Sequence, residues 1–206
     1  HSILKLKSKN PELQFLILLP ELTLTPQAIE RYSEYFQSNE IVVLNSKISK
    51  GKFYSNWNKI KSGEAKVIIS SRMGVFAPFK KLGLIVIDEE QDMSFKQWDM
   101  NPRYDARTVS DKLAEIQGAT IIYGSATPSI EYFFLTQKNK INLIEIPPLE
   151  ISVKIMSRNP EVTIVDLRKE RWQKNYSSIS KKLKSELSHA LKNNCQAILF
   201  VNRQGM

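Results

Sequence analysis

Residues 84–91 read LIVIDEEQ: four apolar residues, three of them β-branched, run straight into Asp88, Glu89 and Glu90. A short uncharged run of this kind predicts a strand buried on both faces, the habit of parallel sheets. Three adjacent carboxylates repel one another, so their place at the end of a buried strand asks for a cation or a reaction to explain it. The plainer alternative is that all three acids simply leave the strand and face water.

Outward from this stretch the same pattern recurs. Apolar runs at 15–19, 41–44, 67–69 and 120–123 predict four more strands, and runs at 162–165 and 198–201 predict two beyond them. Helical segments lie between several of these runs. Thr25 and Pro26 read as an N-cap and a first helical residue, followed by Ile29, Tyr32 and Phe36 at helical spacing. Trp57 and Ile60 belong to a helix that Gly63 can end. Val109, Leu113 and Ile116 share a helical face ending near Gly118, and Leu183, Leu187 and Leu191 share one in a basic helix. Strands alternating with helices predict an α/β fold built on a parallel sheet flanked by helices. Polar segments follow the strands: PEL at 20–22, SSR at 70–72, DEEQ at 88–91, GSATPS at 124–129 and NRQG at 202–205. Open α/β sheets bind ligands at the carboxyl ends of their strands, so these loops are expected to share one functional edge.

Composition narrows the class. The chain has 206 residues, 42% hydrophobic and 25% charged, which is ordinary for a globular protein. No apolar run approaches the ~20 residues needed to span a bilayer, and the basic, polar opening HSILKLKSKN is no signal peptide. The single Cys195 excludes an internal disulfide and a cysteine-cluster zinc site. It is expected to be buried just before a strand, and a cytoplasmic location is expected. The net charge of +9 divides unevenly: residues 1–150 carry 19 basic and 17 acidic side chains (+2), and residues 151–206 carry 11 and 4 (+7). The excess points to a polyanion such as nucleic acid, or to a solvated lysine-rich surface. Residues 137–161 lack periodicity and contain Pro147, Pro148 and Pro160, which marks a linker. Neither end reads as a natural terminus, and a fragment of a longer protein is expected.

The chemistry then takes shape. In nucleotide-driven motors a strand ending in Asp holds Mg2+, and a following Glu orients the attacking water. Such motors also need a glycine-rich loop, GxxxxGK[ST], to cradle phosphates. That loop is absent from these residues: Gly51-Lys52 is followed by Phe53 and has Ser46 where the first glycine belongs.

The succession LLPELTLTPQ, SRMGVFAPFKKLGLIVIDEEQD, PRYDAR, YGSATPS, VTIVDLR and ILFVNRQG resembles the primosomal replication-restart helicases of superfamily 2 (PriA type). The likeness runs in order over nearly the whole chain. It implies two RecA-like lobes that grip ATP between them: residues 1–146 as a first lobe lacking its phosphate loop, 147–161 as a linker and 162–206 as the start of the second lobe. By the same resemblance Asp88 holds Mg2+, Glu89 positions or deprotonates the attacking water, and Glu90 is a bystander. Gln91 stands where the family usually has His, so it joins the nucleotide set with the coupling role in question. Ser125 and Thr127 relay the nucleotide state, or cap the helix after Pro128. The aromatic-rich loop at 95–107 senses single-stranded DNA through Phe95, Lys96, Trp98, Arg103, Tyr104 and Arg107, since rings stack on bases and cations meet phosphates. For Phe95 a core position is an equal alternative. Arg72 and the PEL segment touch the DNA backbone, or Arg72 makes a surface ion pair and Glu21 binds backbone amides structurally. Arg203 contacts DNA or supports the cleft between the lobes. His1 and His189 read as ordinary.

The parent protein is thus expected to be an ATP-dependent 3′–5′ DNA helicase reloading the replication machinery at stalled forks, with ATP and Mg2+ as cofactors. Zinc is expected only in a cysteine-rich insertion outside these residues. Expected partners are single-stranded and forked DNA, primosome proteins and single-strand-binding protein, with no membrane. Another superfamily 2 translocase and a non-hydrolysing nucleic-acid-binding module remain as alternatives. The 206-residue chain alone is expected to be nearly inactive.

Overall fold

Strand β1, Gln14–Leu18, is buried at every position, because a neighbour pairs along each of its edges and helices cover both faces. It runs parallel to β3 (Val67–Ser70) on one side and β4 (Leu82–Ile87) on the other. β2 (Ile41–Leu44) and β5 (Thr120–Tyr123) complete a five-stranded, all-parallel sheet in the order β2-β3-β1-β4-β5. The computed structural model describes residues 2–21, 26–147 and 161–200.

The period-two alternation of the strands sorts their side chains into two cores. Leu16, Leu18, Ile68, Ile85 and Ile87 point to one face, under α3 (Lys50–Ser62) and α4 (Ala106–Gln117). Phe15, Ile17, Ile69 and Leu84 point to the other, under α1 (Ser2–Lys9) and α2 (Pro26–Ser33). One buried polar residue ties three elements together. The Gln14 amide donates to the Ile60 and Ala65 carbonyls at 2.9 and 2.8 Å and accepts from the Lys80 amide at 2.7 Å. It closes the end of α3 and the entries of β3 and β4.

The expected ends at Gly63 and Gly118 appear, and the structure adds the caps that open the same two helices. Ser49 caps α3 and Gly63 ends it with φ +80°; Asp105 caps α4 and Gly118 ends it. The expected cap Thr25 lies outside the described residues. Along α4 the buried face differs from the Val109–Leu113–Ile116 stripe. Val109 and Leu113 pack against the core as expected, but beside the more deeply buried Ala106, Ser110 and Ala114, while Ile116 is 70% exposed, because small residues let the helix approach the sheet closely.

The chain divides into two units, His1–Ile144 and Glu145–Met206. The first also holds α5 (Ile130–Gln137). The second contains α6 (Leu167–Trp172), capped by Asp166, and α7 (Lys181–Lys192), capped by Ser180. The strands expected at 162–165 and 198–201 are not formed over 162–165 and 198–200, and Val201 lies outside the described residues. Val162, Ile164 and Ile198 are 80–97% exposed. A parallel strand exists only through ladder partners, and the described residues of this unit offer none. Cys195, expected to be buried, is consequently exposed, and Leu191 of α7 is 69% exposed for the same reason. Among the described residues no helix is long and apolar enough to cross a membrane.

Candidate functional site

The polar segments that follow β1, β3, β4 and β5 emerge at the carboxyl edge of the sheet, as parallel pairing requires. β4 continues one residue past Ile87, with the Asp88 amide donating to the Leu18 carbonyl at 3.0 Å. Glu89 then turns the chain with φ +52°, a left-handed conformation uncommon for a side chain with a Cβ. Two bonds stitch this turn to the exit of β5: Gly124 N–H donates to Ile87 O at 2.8 Å, and Glu90 N–H to Gly124 O at 3.0 Å. A Cβ at Gly124 would lie 3.3 Å from Asp88 Oδ1, a tight contact that would press on the carboxylate.

The acids take three different environments. Asp88 is half-buried and Glu89 exposed; Asp88 Oδ1 accepts from the Glu89 amide at 3.1 Å. Gln91 Nε2 donates to Glu89 Oε2 at 2.7 Å, and Ser125 Oγ donates to Gln91 Oε1. The Thr127 amide donates to Ser125 Oγ at 3.0 Å. A carboxylate only accepts, so Gln91 turns its NH2 to Glu89 and its oxygen to Ser125. The structure therefore brings Asp88, Glu89, Gln91, Ser125 and Thr127 together, linking the exits of β4 and β5. The exposed Thr127 takes part through its backbone, and Ser129, rather than Ser125 or Thr127, caps α5.

Glu90 does not face water as the other two acids do. It is 1% exposed; Ser129 donates to it through its amide (3.1 Å) and hydroxyl (2.6 Å). Arg107 Nη1 lies 3.5 Å from Glu90 Oε1 and donates to the Glu90 carbonyl at 2.8 Å. Arg107, expected to meet DNA, is 5% exposed and is held bidentately by Asp105 at 2.9 and 2.7 Å. Its guanidinium therefore points inward. The hydrogen bond to Asp105 raises the Arg107 pKa against the effect of burial. For Asp105, burial opposes ionisation, but the bonds from Arg107 outweigh it and hold the carboxyl below its ordinary value.

The loop from β4 to α4 is pinned by the Lys96–Asp105 bridge and by Gln97 N–H donating to Tyr104 O at 2.8 Å. Phe95 is fully buried in the core, which settles its place. Trp98 is 59% exposed with Lys96 Nζ 5.8 Å from its ring centroid, and Arg103 is exposed. Arg72 reaches the loop from the turn after β3, donating to Ser94 O at 3.2 Å and lying 4.0 Å from Asp99. Burial raises the Tyr104 pKa while Arg72 opposes the rise. Phe76, not foreseen, is 51% exposed and meets Tyr104 edge-on with centroids 4.9 Å apart. Glu21 accepts from Ser46 Oγ at 2.8 Å, a bond between the exits of β1 and β2. Leu22 and Arg203 lie outside the described residues.

No three His, Cys, Asp or Glu side chains cluster as a metal cage among the described residues. Mg2+ does not require one. It keeps waters and takes one or two carboxylates together with substrate phosphates, and the half-buried Asp88 carboxylate at the sheet edge fits that demand.

Comparison with known proteins places the chain in a family. Residues 2–133 match the model of the DEAD/DEAH box helicases. The chain is similar to the replication restart protein PriA of Bacillus subtilis (37% identity, 99% of this chain, 24% of that one) and of Synechocystis (39%, 92% and 23%). It is also similar to that of Haemophilus influenzae (32%, 93% and 25%). The chain thus spans about a quarter of the length of the curated relatives it matches. Among solved structures, the C-terminal domain of the DEAD-box protein Dbp5 is similar at 12% identity over 69% of this chain and 79% of that one, with a TM-score of 0.41; a likeness of that size carries no argument.

Proposed function

Because the chain belongs to the DEAD/DEAH box helicase family, we propose that it is part of an ATP-driven DNA translocase of the replication-restart type, moving 3′ to 5′ and acting at stalled forks. In this reading residues 1–146 form part of a first RecA-like lobe, 147–161 a linker and 162–206 the opening of a second. Primosome proteins, single-strand-binding protein and a zinc-bearing insertion belong to the longer protein.

The observation that carries the reading is the hydrogen-bonded chain Glu89–Gln91–Ser125 across the exits of β4 and β5. Phosphoryl transfer is mostly positioning and charge neutralisation. Asp88, half-buried and steadied by the Glu89 amide, suits the metal. When bound, Mg2+ neutralises charge on the phosphates. The exposed Glu89 carboxylate orients the attacking water and accepts its proton, and Gln91 holds that carboxylate at one oxygen while leaving the other free. Any change at Glu89 is felt at Ser125, and so at the segment leading into α5. DNA meets Trp98, Lys96, Arg103 and Tyr104 on the neighbouring loop by stacking and charge.

The test is ATP turnover by the longer protein, with and without forked DNA, beside Glu89→Gln. Fork-stimulated turnover reduced roughly 10²- to 10⁴-fold in the variant supports the reading. Absent turnover with DNA binding retained would make this a binding module on a motor's fold.

A further inference from the structure

We infer that Glu90 and Arg107 are positioning residues: a buried pair, completed by Asp105 and Ser129, that fixes the left-handed turn from which Glu89 presents its carboxylate. The inference rests on the reading of Glu89 given above and extends it to side chains on α4 and at the start of α5.

Glu89 has little to hold it from its own side chain. It is exposed, and its one described side-chain bond comes from Gln91. Its direction is therefore set from the backbone, and that backbone is in a conformation a non-glycine residue keeps only when its surroundings over-determine it. The surroundings here do so. The residue before it is tied to β1 by Asp88 N–H on Leu18 O, and the residue after it to β5 by Glu90 N–H on Gly124 O. Asp92 N–H closes on Glu89 O at 2.8 Å. The fourth tether comes from α4: Arg107 Nη1 on Glu90 O at 2.8 Å. The Glu90 side chain, turned inward, is gripped by both donors of Ser129 and faced by Arg107 at 3.5 Å.

A buried ion pair is poor as a source of net stability, since desolvation offsets its attraction and apolar residues of the same volume pack as well. What apolar residues cannot do is hold a carbonyl and a carboxylate at fixed points beside a strained residue. Arg107 does this because its planar fork is already oriented by the bidentate bonds to Asp105. A reacting group displaced by about 1 Å loses on the order of 10² in rate, so the clamp belongs where it is found, one residue from the carboxylate.

Two experiments separate this from its alternatives. In the longer protein, Arg107→Met and the near-isosteric Glu90→Gln should lower kcat for ATP about 10- to 100-fold, with KM for ATP and the salt dependence of DNA binding unchanged. The double variant should be no worse than the poorer single one, because the two residues act as a unit. In the 206-residue chain, the amides of residues 88–92 should exchange faster in both variants while those of β1 and β3 keep their protection. Unchanged kcat, or unchanged exchange at 88–92, overturns the proposal. Weaker DNA binding with a shallower salt slope overturns it in favour of a phosphate contact by Arg107, and loss of protection throughout β1 and β3 overturns it in favour of a merely stabilising pair. Absence of turnover in the wild-type longer protein defeats the reading of Glu89 instead; exchange at 88–92 then decides for or against the clamp by itself.

Discussion

Asp105 illustrates how one side chain can serve two elements. It caps α4 through the Arg107 amide and locks the Arg107 guanidinium. Its carboxyl is held below the ordinary value of 3.8, so the folded state binds a proton less readily than the unfolded one. The stability it contributes is therefore complete above that ordinary value and disappears as pH falls through the lower folded value. Asp105→Asn should melt below wild type at pH 7, with the gap closing only below pH 3.8; thermal melts across pH 2–7 measure it. A gap that persists undiminished at the acid end counts against this account. At this scale the sequence was only partly legible. Asp88, Glu89, Gln91 and Ser125 were identifiable because their spacing after apolar runs puts them on one edge. Glu90 and Arg107 were not, because an acid beside two functional acids and an arginine in an aromatic-rich loop both read as surface chemistry. Only the fold reveals that they face each other across the exit of β4 and the first turn of α4. The pairing of Asp105 with Arg107, two residues apart at a helix start, was the available signal.

Among elements, the five strands of the first unit were readable because each carries a short run of apolar residues, unbroken through Phe15–Leu18 of β1 and Leu84–Ile87 of β4. Helix faces were less legible. On α4 the large residues Val109 and Leu113 marked the core side, but Ile116 is exposed and the deepest contacts belong to the small residues Ala106, Ser110 and Ala114. Gln14 escaped notice at the start of an apolar run, yet it satisfies backbone groups of α3, the segment entering β3 and the segment entering β4. Gln14→Leu takes their partner from the buried Ala65 carbonyl and from the Lys80 amide, while the Ile60 carbonyl still accepts from Gly63 N–H. Burying unsatisfied groups costs about 1–3 kcal/mol each, and partial relaxation should bring the total to about 3 kcal/mol. Urea unfolding followed by fluorescence measures this; a shift under about 1 kcal/mol would mean that water replaces the amide.

On the scale of the molecule, the two units differ in kind. The first has a sheet covered on both faces. Of the described residues 161–200 in the second, only Ser180 is buried, and the basic excess lies in this part of the chain. Stability follows buried contacts, so amides of β1, β3 and β4 should outlast those of α6 and α7 in hydrogen exchange by orders of magnitude. Equal protection in the two units would contradict the burial difference. The sequence overstated order here for a physical reason: an apolar run signals a strand's ability to pair, and pairing depends on neighbours that the run itself does not contain.

Between Glu89 and Ser125 the intermediary is an amide and not an imidazole. An imidazole gains a proton near pH 6.5 and then can no longer accept a hydrogen bond. Glutamine has no such event. Its oxygen accepts from Ser125 and its nitrogen donates to Glu89, so the amide itself adds no protonation event to the link between the two strand exits.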